Sequence, residues 1–578
     1  MLAAAAAGGG GIVAPRPAAA QPAAQIPGTC STAAGQPVRV AAGRRITAIV
    51  VSTAPPDRLP GGVRLPLHMT TRPETVRSRL LLTVGQSLDT ARVAESVRQL
   101  QALSYLQDVR ITAACDQADG VALTVATRDA WSIRPNLSVR SGQRASVGIA
   151  ETNLFGTGRT ARLYVRSDQG QLGVGAAYAD PTLFNRHALV AVRRDAYADG
   201  HGWGATLRTW NATVFAPWGA GIAVQQSSRM SVRQSAFTAP GDTVRRATAL
   251  ALVSHRLSLT PSGATFLRFG VEGERTAVSA GPGLLLVGPP RVRRTFAGVD
   301  VGVARRSARY VTAPWLLPES SESLRLGLTR PDVPRGLEGE GLVSVGHDFT
   351  TRALATHFDL WTGRIFPLGR RSASAAPRAL LSADLWTSGY HPMGGSGAWN
   401  GGTLRGSVGF AAPASHGLWL ARVSAEHLAD PDPDTRSLAL IDPVQRALPA
   451  AGRLAESAIA GSVERSRHLF RLTRNYVLDA AVFGAGSVRW EGAEPWFAGV
   501  PGQSAAGLLG GERLYVGSVG AGFRLTPTRF GPGTIRLDAG IPVVRSRMLS
   551  GRPFFAVSIT PAFGIGRQRD SRGVLGGL

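Results

Sequence analysis

The feature that most constrains this chain is an alternation of apolar and polar side chains that recurs from residue 132 to residue 563. Successive side chains of a β-strand point to opposite faces, so a period of two predicts strands with one apolar face. The clearest segments are 161–166, 267–272, 381–386 and 535–541. A soluble β-sandwich alternates in the same way, but so long a region without a second domain signal favours a transmembrane antiparallel β-barrel. Closure of a barrel also pairs every backbone group in lipid.

The charge of the chain is strongly positive, but it is not concentrated in one place. All 64 cationic side chains are arginines, against 38 acidic ones, which gives a net charge of +26. Nucleic-acid-binding proteins usually gather their charge into a patch with aromatic platforms, whereas these arginines are spread at strand-like spacing. The pattern therefore predicts arginines in a solvated lumen and in loops, with contact to anionic lipid headgroups at the rim as a second interpretation, and no nucleic-acid partner. No run of 18 apolar residues occurs, which excludes a helical membrane protein.

The amino-terminal segment and the two cysteines bear on export. Residues 1–25 are predicted to be a signal peptide or a disordered leader, because a small apolar stretch precedes the small-residue sequence Ala18-Ala19-Ala20-Gln21, although no arginine precedes that stretch. Cys30 and Cys115 both precede the barrel. An exported protein allows a disulfide between them, and free thiols remain an equal alternative.

Residues 38–131 predict a small α+β domain. A β-rich run at 46–51 is followed by Pro73, which suits the first turn of a helix, and by Asp89, which can cap a second helix. Two strands follow at 109–113 and 121–126, after an Asp-Gly turn. The order is therefore strand, helix, helix, strand, strand.

That order resembles a POTRA domain, the polypeptide-transport-associated module of outer-membrane assembly proteins. The resemblance rests on the Gly-Gln-Ser-Leu-Asp turn at 85–89 and on Leu-Ser-Tyr-Leu-Gln-Asp-Val at 103–109. It implies a domain that accepts an extended peptide by adding a strand to its sheet edge. The alternative is a spacer without a ligand.

The barrel region carries a second resemblance. The turn Glu-Thr-Asn-Leu-Phe-Gly-Thr-Gly at 151–158, the Asp-Pro-Thr-Leu-Phe at 180–184 and the segment 517–543 are similar to the BamA/TamA family of outer-membrane assembly proteins. The resemblance implies a barrel of about 16 strands over 132–563, followed by a C-terminal tail, 564–578. The number of alternating segments is somewhat higher, which we attribute to long extracellular hairpins.

The resemblance also implies two functional sites. One is an inward-folded loop whose Arg446 pairs with Glu464 in the lumen, while the second acidic position of the family falls on Gly484. The other is the seam between the first and last barrel strands. Its residues are Leu137, Val139, Phe555, Val557, Ile559 and Phe563.

The function expected from these features is insertion or translocation of polypeptides at the bacterial outer membrane, with the small domain in the periplasm. The implied partners are unfolded outer-membrane or secreted polypeptides, outer-membrane lipid and lipopolysaccharide, and periplasmic accessory proteins. The alternative is a passive, anion-preferring channel or secretion pore. No nucleophile elbow, phosphate-binding loop or zinc-type histidine cluster occurs in the sequence, so we expect no enzymatic activity and no cofactor or metal.

Overall fold

The computed structural model covers two regions of regular structure, a small α+β domain and a large β-barrel. Its described residues are 37–56, 68–101, 103, 105–115, 120–140, 144–168, 171–183, 188–197, 200–209, 213–230, 243–279, 293–312, 332–369, 377–393, 402–429, 457–473, 476–490, 514–527, 534–543 and 553–560. The predicted leader, the predicted tail, Cys30, Arg446 and Phe563 lie outside them.

The small domain has the predicted order of elements after a short 3-10 turn, Val38–Ala41. These elements are β1 (Arg45–Ala54), α1 (Pro73–Arg77), α2 (Thr90–Gln101), β2 (Leu106–Cys115) and β3 (Gly120–Asp129). In the sheet, β3 lies between β1, which is parallel to it, and β2, which is antiparallel. The Asp89 carboxylate accepts a hydrogen bond from the Ala91 N–H at 2.8 Å, as expected of a helix cap. No helix among the described residues is long and apolar enough to cross a membrane.

One apolar core holds this domain together. It combines one face of the sheet with the inner faces of the helices and includes Val76, Leu100, Leu123 and Cys115. Cys115 is recorded as disulfide-bonded. Because Cys30 lies outside the described residues, the pairing of the two cysteines stays a prediction, which mass spectrometry of the non-reduced protein tests.

The described residues between Ile133 and Thr560 form a closed antiparallel barrel of twenty strands. The strands in chain order are β4 (Ile133–Arg140), β5 (Arg144–Leu154), β6 (Arg159–Asp168), β7 (Gln171–Asp180), β8 (Leu189–Tyr197), β9 (Gly200–Arg208), β10 (Trp218–Met230), β11 (Thr243–Thr260), β12 (Gly263–Ser279), β13 (Arg293–Ser307), β16 (Leu337–Asp348), β17 (Ala353–Leu368), β18 (Ala379–Met393), β19 (Gly402–Ala414), β20 (Gly417–Ala429), β21 (Ser457–Thr473), β22 (Tyr476–Trp490), β23 (Leu514–Pro527), β24 (Thr534–Pro542) and β25 (Phe554–Thr560). Two short strands, β14 (Tyr310–Thr312) and β15 (Asp332–Pro334), form a separate ribbon between β13 and β16.

The count of twenty corrects the expectation of about 16 strands. The additional alternating segments, which we had attributed to extracellular hairpins, are paired strands of the wall. Residues 243–260 of β11, for example, pair with 263–279 of β12 along their length. A long alternating segment is stable only where neighbouring strands pair with both of its edges. The number of alternating segments therefore predicts the strand count better than the family resemblance does.

The two faces of the barrel differ as the alternation predicts. On β12, Phe269 and Val271 are half exposed on the outer face, whereas Arg268 is buried inside. On β24, Leu537 and Ile541 face outward while Arg536 and Asp538 are buried. An apolar outer surface around a polar interior is the arrangement of a membrane-spanning barrel.

Candidate functional site at the barrel seam

The barrel closes where its first strand meets its last, and this seam is the shortest pairing in the described wall. Among the described residues, 137–140 of β4 pair with 556–559 of β25, while residues 141–143 and 561–563, next to this ladder, lie outside the described part of the chain. On its other side, β4 pairs with β5 over its full length, from Ile133 to Arg140. Pro135 has no N–H to donate, so a ladder that runs past it is weakened.

The predicted seam residues occupy different places around this short ladder. Leu137 is opposite Ile559, and Val139 is opposite Val557. Phe555 is opposite Ala539 on β24, outside the segment that pairs with β4. Phe563 lies outside the described residues.

A buried network of four charged side chains lies in the lumen close to the seam. The Arg524 guanidinium on β23 donates to Asp538 Oδ1 on β24 at 2.5 Å and to Glu464 Oε2 on β21 at 3.4 Å. Arg536 on β24 donates to the same Glu464 oxygen at 3.0 Å. All four side chains are at most 4% exposed. The network joins three of the last five strands, so it stiffens the wall beside the seam without including β4 or β25.

This network changes the interpretation of Glu464. Its carboxylate lies in the lumen, but the partners in the described structure are Arg524 and Arg536, since the loop with Arg446 lies outside the described residues. Gly484 shares the outward face of β22 with the exposed Val482, so a side chain at 484 would point away from the lumen. The second carboxylate of this network is Asp538, which pairs with Arg524. The alternation along β24 had placed Arg536 and Asp538 on the polar face, but no sequence signal joined them to Glu464.

A second group of contacts joins the small domain to the turn between β5 and β6. The Asn153 side-chain amide donates to Met69 O at 3.2 Å and to Thr71 Oγ1 at 2.9 Å, while its carbonyl oxygen accepts from Gly158 N–H at 2.8 Å. Arg72 N–H donates to Gly156 O at 2.9 Å. The turn at 151–158, which carries much of the family resemblance, is therefore bound directly to residues 69–72 of the small domain.

This turn requires its glycines. Gly156 has a φ of +72°, and a Cβ there would lie 2.4 Å from Thr70 O. A Cβ at Gly158 would lie 2.3 Å from the Tyr105 hydroxyl oxygen. Burial raises the pKa of Tyr105 to about 12, so this residue stays a neutral phenol at the junction.

We expect Asn153→Ala to release the small domain from the barrel. The substitution leaves the buried Gly158 N–H and Thr71 hydroxyl without their partner, which costs about 1–3 kcal/mol for each buried group. Proteolysis between residues 129 and 133 should accelerate while the barrel stays folded. The control is Gln226→Ala, which removes an amide that accepts from Trp203 Nε1 on the outer face. Equal proteolysis of the two variants would contradict this role of Asn153.

A third constellation has the connectivity of a catalytic triad but not its accessibility. His68 Nδ1 lies 3.1 Å from Ser132 Oγ, and His68 Nε2 lies 2.9 Å from Asp129 Oδ2. Asp129 also accepts from Thr71 N–H at 2.7 Å. The side chains of His68 and Asp129 are 4% and 0% exposed, and Ser132 is 1% exposed. Because no substrate can reach this serine, the group fastens the segment before α1 to the end of β3.

No protein-family model and no curated protein matches the sequence. Among solved structures, the chain is similar to BamA from Haemophilus ducreyi lacking POTRA domains 1–3, with 11% identity, a TM-score of 0.35, and coverage of 89% of this chain and 84% of that one. CdiB from Escherichia coli is 13% identical, with a TM-score of 0.42, and the match covers 89% of this chain and 76% of that one. The chain resembles BamA and CdiB along most of its length.

A third solved structure with a similar fold is the siderophore receptor PirA from Pseudomonas aeruginosa, with 10% identity, a TM-score of 0.30, and coverage of 78% of this chain and 86% of that one. Identities and TM-scores this low carry no argument about function. That argument rests on the seam, the lumen network and the junction.

Proposed function

We propose that this chain is an outer-membrane barrel of the BamA/TamA type that assists insertion or translocation of polypeptides. The observation that carries the proposal is the seam itself, where the first barrel strand, β4, pairs directly with the last, β25. The four described residue pairs contribute about four hydrogen bonds, on the order of 2–6 kcal/mol. In lipid, the backbone N–H and C=O groups exposed when these strands separate have no water to bind. A client strand that pairs with β4 supplies their hydrogen-bond partners.

The small domain supports the same proposal. In its sheet β3 is central, so β1 and β2 are the two edges. An extended polypeptide can add to such an edge through main-chain hydrogen bonds, largely without regard to its sequence. In this proposal the domain is a POTRA-like module in the periplasm, where it receives unfolded polypeptides and binds accessory proteins. Lipid and lipopolysaccharide surround the outer face of the barrel, and no enzymatic step or cofactor is involved.

The experiment that tests the proposal captures a client on β4. A photo-crosslinking amino acid replaces Ser138, which lies in the seam opposite Ser558, and the protein is reconstituted in liposomes with an unfolded eight-stranded barrel protein. We expect crosslinks to one terminal strand of the client, at alternate residues. The control site is Ser146 on β5, which lies opposite Ser138 inside the wall. Equal crosslinking from both sites, or none from Ser138, would refute templating at the seam.

The alternative function is a passive anion-preferring channel, and the net charge of +26 is the observation that favours it. In the described lumen, however, arginines are matched by carboxylates. Arg268 pairs with Glu340, and Arg405 pairs with Glu426 at 2.6 Å. Such pairing lowers the positive electrostatic potential in the lumen, which is what would make a channel select anions. A large, steady, anion-selective current across a planar bilayer would favour the channel, whereas small flickering currents are expected of an assembly protein.

A further inference from the structure

Two arginines of the barrel wall face outward instead of into the lumen. Arg465 and Arg467 lie on β21, two residues apart and therefore on one face of the strand. Arg465 is directly opposite Trp419 on β20 and Val482 on β22. These two neighbours are 44% and 58% exposed on the outer surface. The arginines therefore lie on the side of the wall that faces lipid.

The position of the pair along the strand places it at one edge of the apolar surface. Arg467 is opposite Gly417, the first residue of β20 after the turn that joins it to β19. Wall strands alternate in direction, so β20 begins at the same end of the barrel as β4, which is the end that carries the small domain. In the other direction along β21, the outward residues include Val463 and Ile459, which are apolar. An outward arginine is costly at the centre of a bilayer and is tolerated at its interface, so this edge marks the level of the lipid headgroups.

The carboxylates of the neighbouring wall do not neutralise the two arginines. Strands β20–β24 contain four acidic residues, and each of them bonds to another partner. These pairs are Glu426 with Arg405, Glu464 with Arg524 and Arg536, Asp479 with His468, and Asp538 with Arg524. Two positive charges therefore lie side by side on a surface that is otherwise apolar, and the complementary partner is an anion at the membrane interface.

An aromatic ring orients the first of the two guanidinium groups. The Cζ atom of Arg465 lies 4.8 Å from the centre of the Trp419 ring, within the range of cation–π attraction. Stacking uses the flat face of a guanidinium and leaves the N–H groups in its plane able to donate to a phosphate. The residues opposite Arg467 are Gly417 and Ala480, which are small, and Arg467 is exposed. Both guanidinium groups are therefore accessible from the lipid side.

We propose that Trp419, Arg465 and Arg467 form a binding site for the phosphate of an anionic glycerophospholipid in the periplasmic leaflet. Residues two apart on a strand are about 6.6 Å apart, so both guanidinium groups can contact one headgroup. The acyl chains of the lipid then pack on the apolar wall beside Val463. The leaflet rests on the proposed function, which places the small domain in the periplasm, whereas the site itself does not depend on polypeptide assembly.

The test is native mass spectrometry of the full-length protein in detergent with added phosphatidylglycerol. One arginine near an anionic headgroup strengthens binding about fivefold, so we expect Arg465→Gln to weaken the affinity about fivefold and the double variant Arg465→Gln with Arg467→Gln about 30-fold. Trp419→Leu removes the stacking and should weaken it about two- to fivefold. Phosphatidylcholine carries a phosphate but no net charge, so it should bind the wild type no better than phosphatidylglycerol binds the double variant.

The matched control is Arg364→Gln. Arg364 on β17 also stacks on an aromatic ring, with its Cζ atom 4.8 Å from the centre of the Phe366 ring, but no second arginine lies two residues away. This variant should keep the affinity of the strongest site for phosphatidylglycerol. Folding of every variant is checked by the heat-dependent mobility of the barrel on a gel.

Four outcomes would overturn the proposal. An unchanged affinity in the double variant would remove the site, and an equal loss in Arg364→Gln would show only general attraction to positive charge. Equally tight phosphatidylcholine would exclude selection of anionic lipid, and tighter binding of lipopolysaccharide than of phosphatidylglycerol would exclude the assigned leaflet. Because binding is measured in detergent and without a client, its failure leaves crosslinking at Ser138 unaffected, and the two proposals can fail separately.

Discussion

Replacing Arg524 with methionine is expected to destabilise the barrel by about 3–5 kcal/mol, because the change leaves a buried carboxylate without its counter-charge. Arg524 is fully buried and lies 2.5 Å from Asp538 Oδ1. Glu464 is affected less, since Arg536 remains 3.0 Å from it. Urea unfolding of the reconstituted barrel measures the loss. Arg110→Met, at an exposed arginine, should change the free energy of unfolding by less than about 1 kcal/mol.

A double-mutant cycle identifies the cause of this loss. Asp538→Asn in the Arg524→Met background removes the stranded charge, and Glu464 and Arg536 still pair with each other. We expect the double variant to be more stable than Arg524→Met alone, with a coupling free energy of about 2–3 kcal/mol. A double variant less stable than both single variants would show that the side chains act through packing and not through their charges.

Much of the fold follows from short-range patterns in the sequence. The period of two marks the barrel strands and their outward faces, as for Leu537 beside Arg536. Every second side chain of a barrel strand faces lipid and is therefore apolar. Pro73 and Asp89 mark the start of helices through local backbone chemistry. Such signals depend on neighbours within a few residues and can be recognised without a structure.

The remaining features depend on contacts between residues distant in sequence. Glu464 meets Arg524 and Arg536 across intervening strands, and only the register of the whole wall brings them together. An alignment error of one residue moves a side chain from the lumen to the outer face, as at Gly484. The stacking of Arg98 on Tyr310 spans two regions of the chain and leaves no periodic pattern. The strand count was too low for a different reason: it was taken from the family resemblance, whereas the number of alternating segments was already higher.

Locking the seam is expected to abolish the assembly activity. Ser138 on β4 and Ser558 on β25 are directly opposite each other. Opposite residues of antiparallel strands have Cα atoms about 4.5–5.5 Å apart, which a disulfide spans without backbone movement. Replacing both with cysteine and oxidising the protein therefore links β4 to β25 covalently and leaves no free edge on β4 for a client strand.

The most direct test of seam opening compares this locked barrel with one locked elsewhere. The control pair is Ser388→Cys with Thr403→Cys, which are opposite each other on β18 and β19, far from the seam. The rate at which an unfolded eight-stranded barrel protein folds into liposomes is measured for both, before and after reduction. The account predicts that oxidation stops assembly only in the seam-locked protein and that reduction restores it. Full activity of the oxidised seam-locked protein would contradict it.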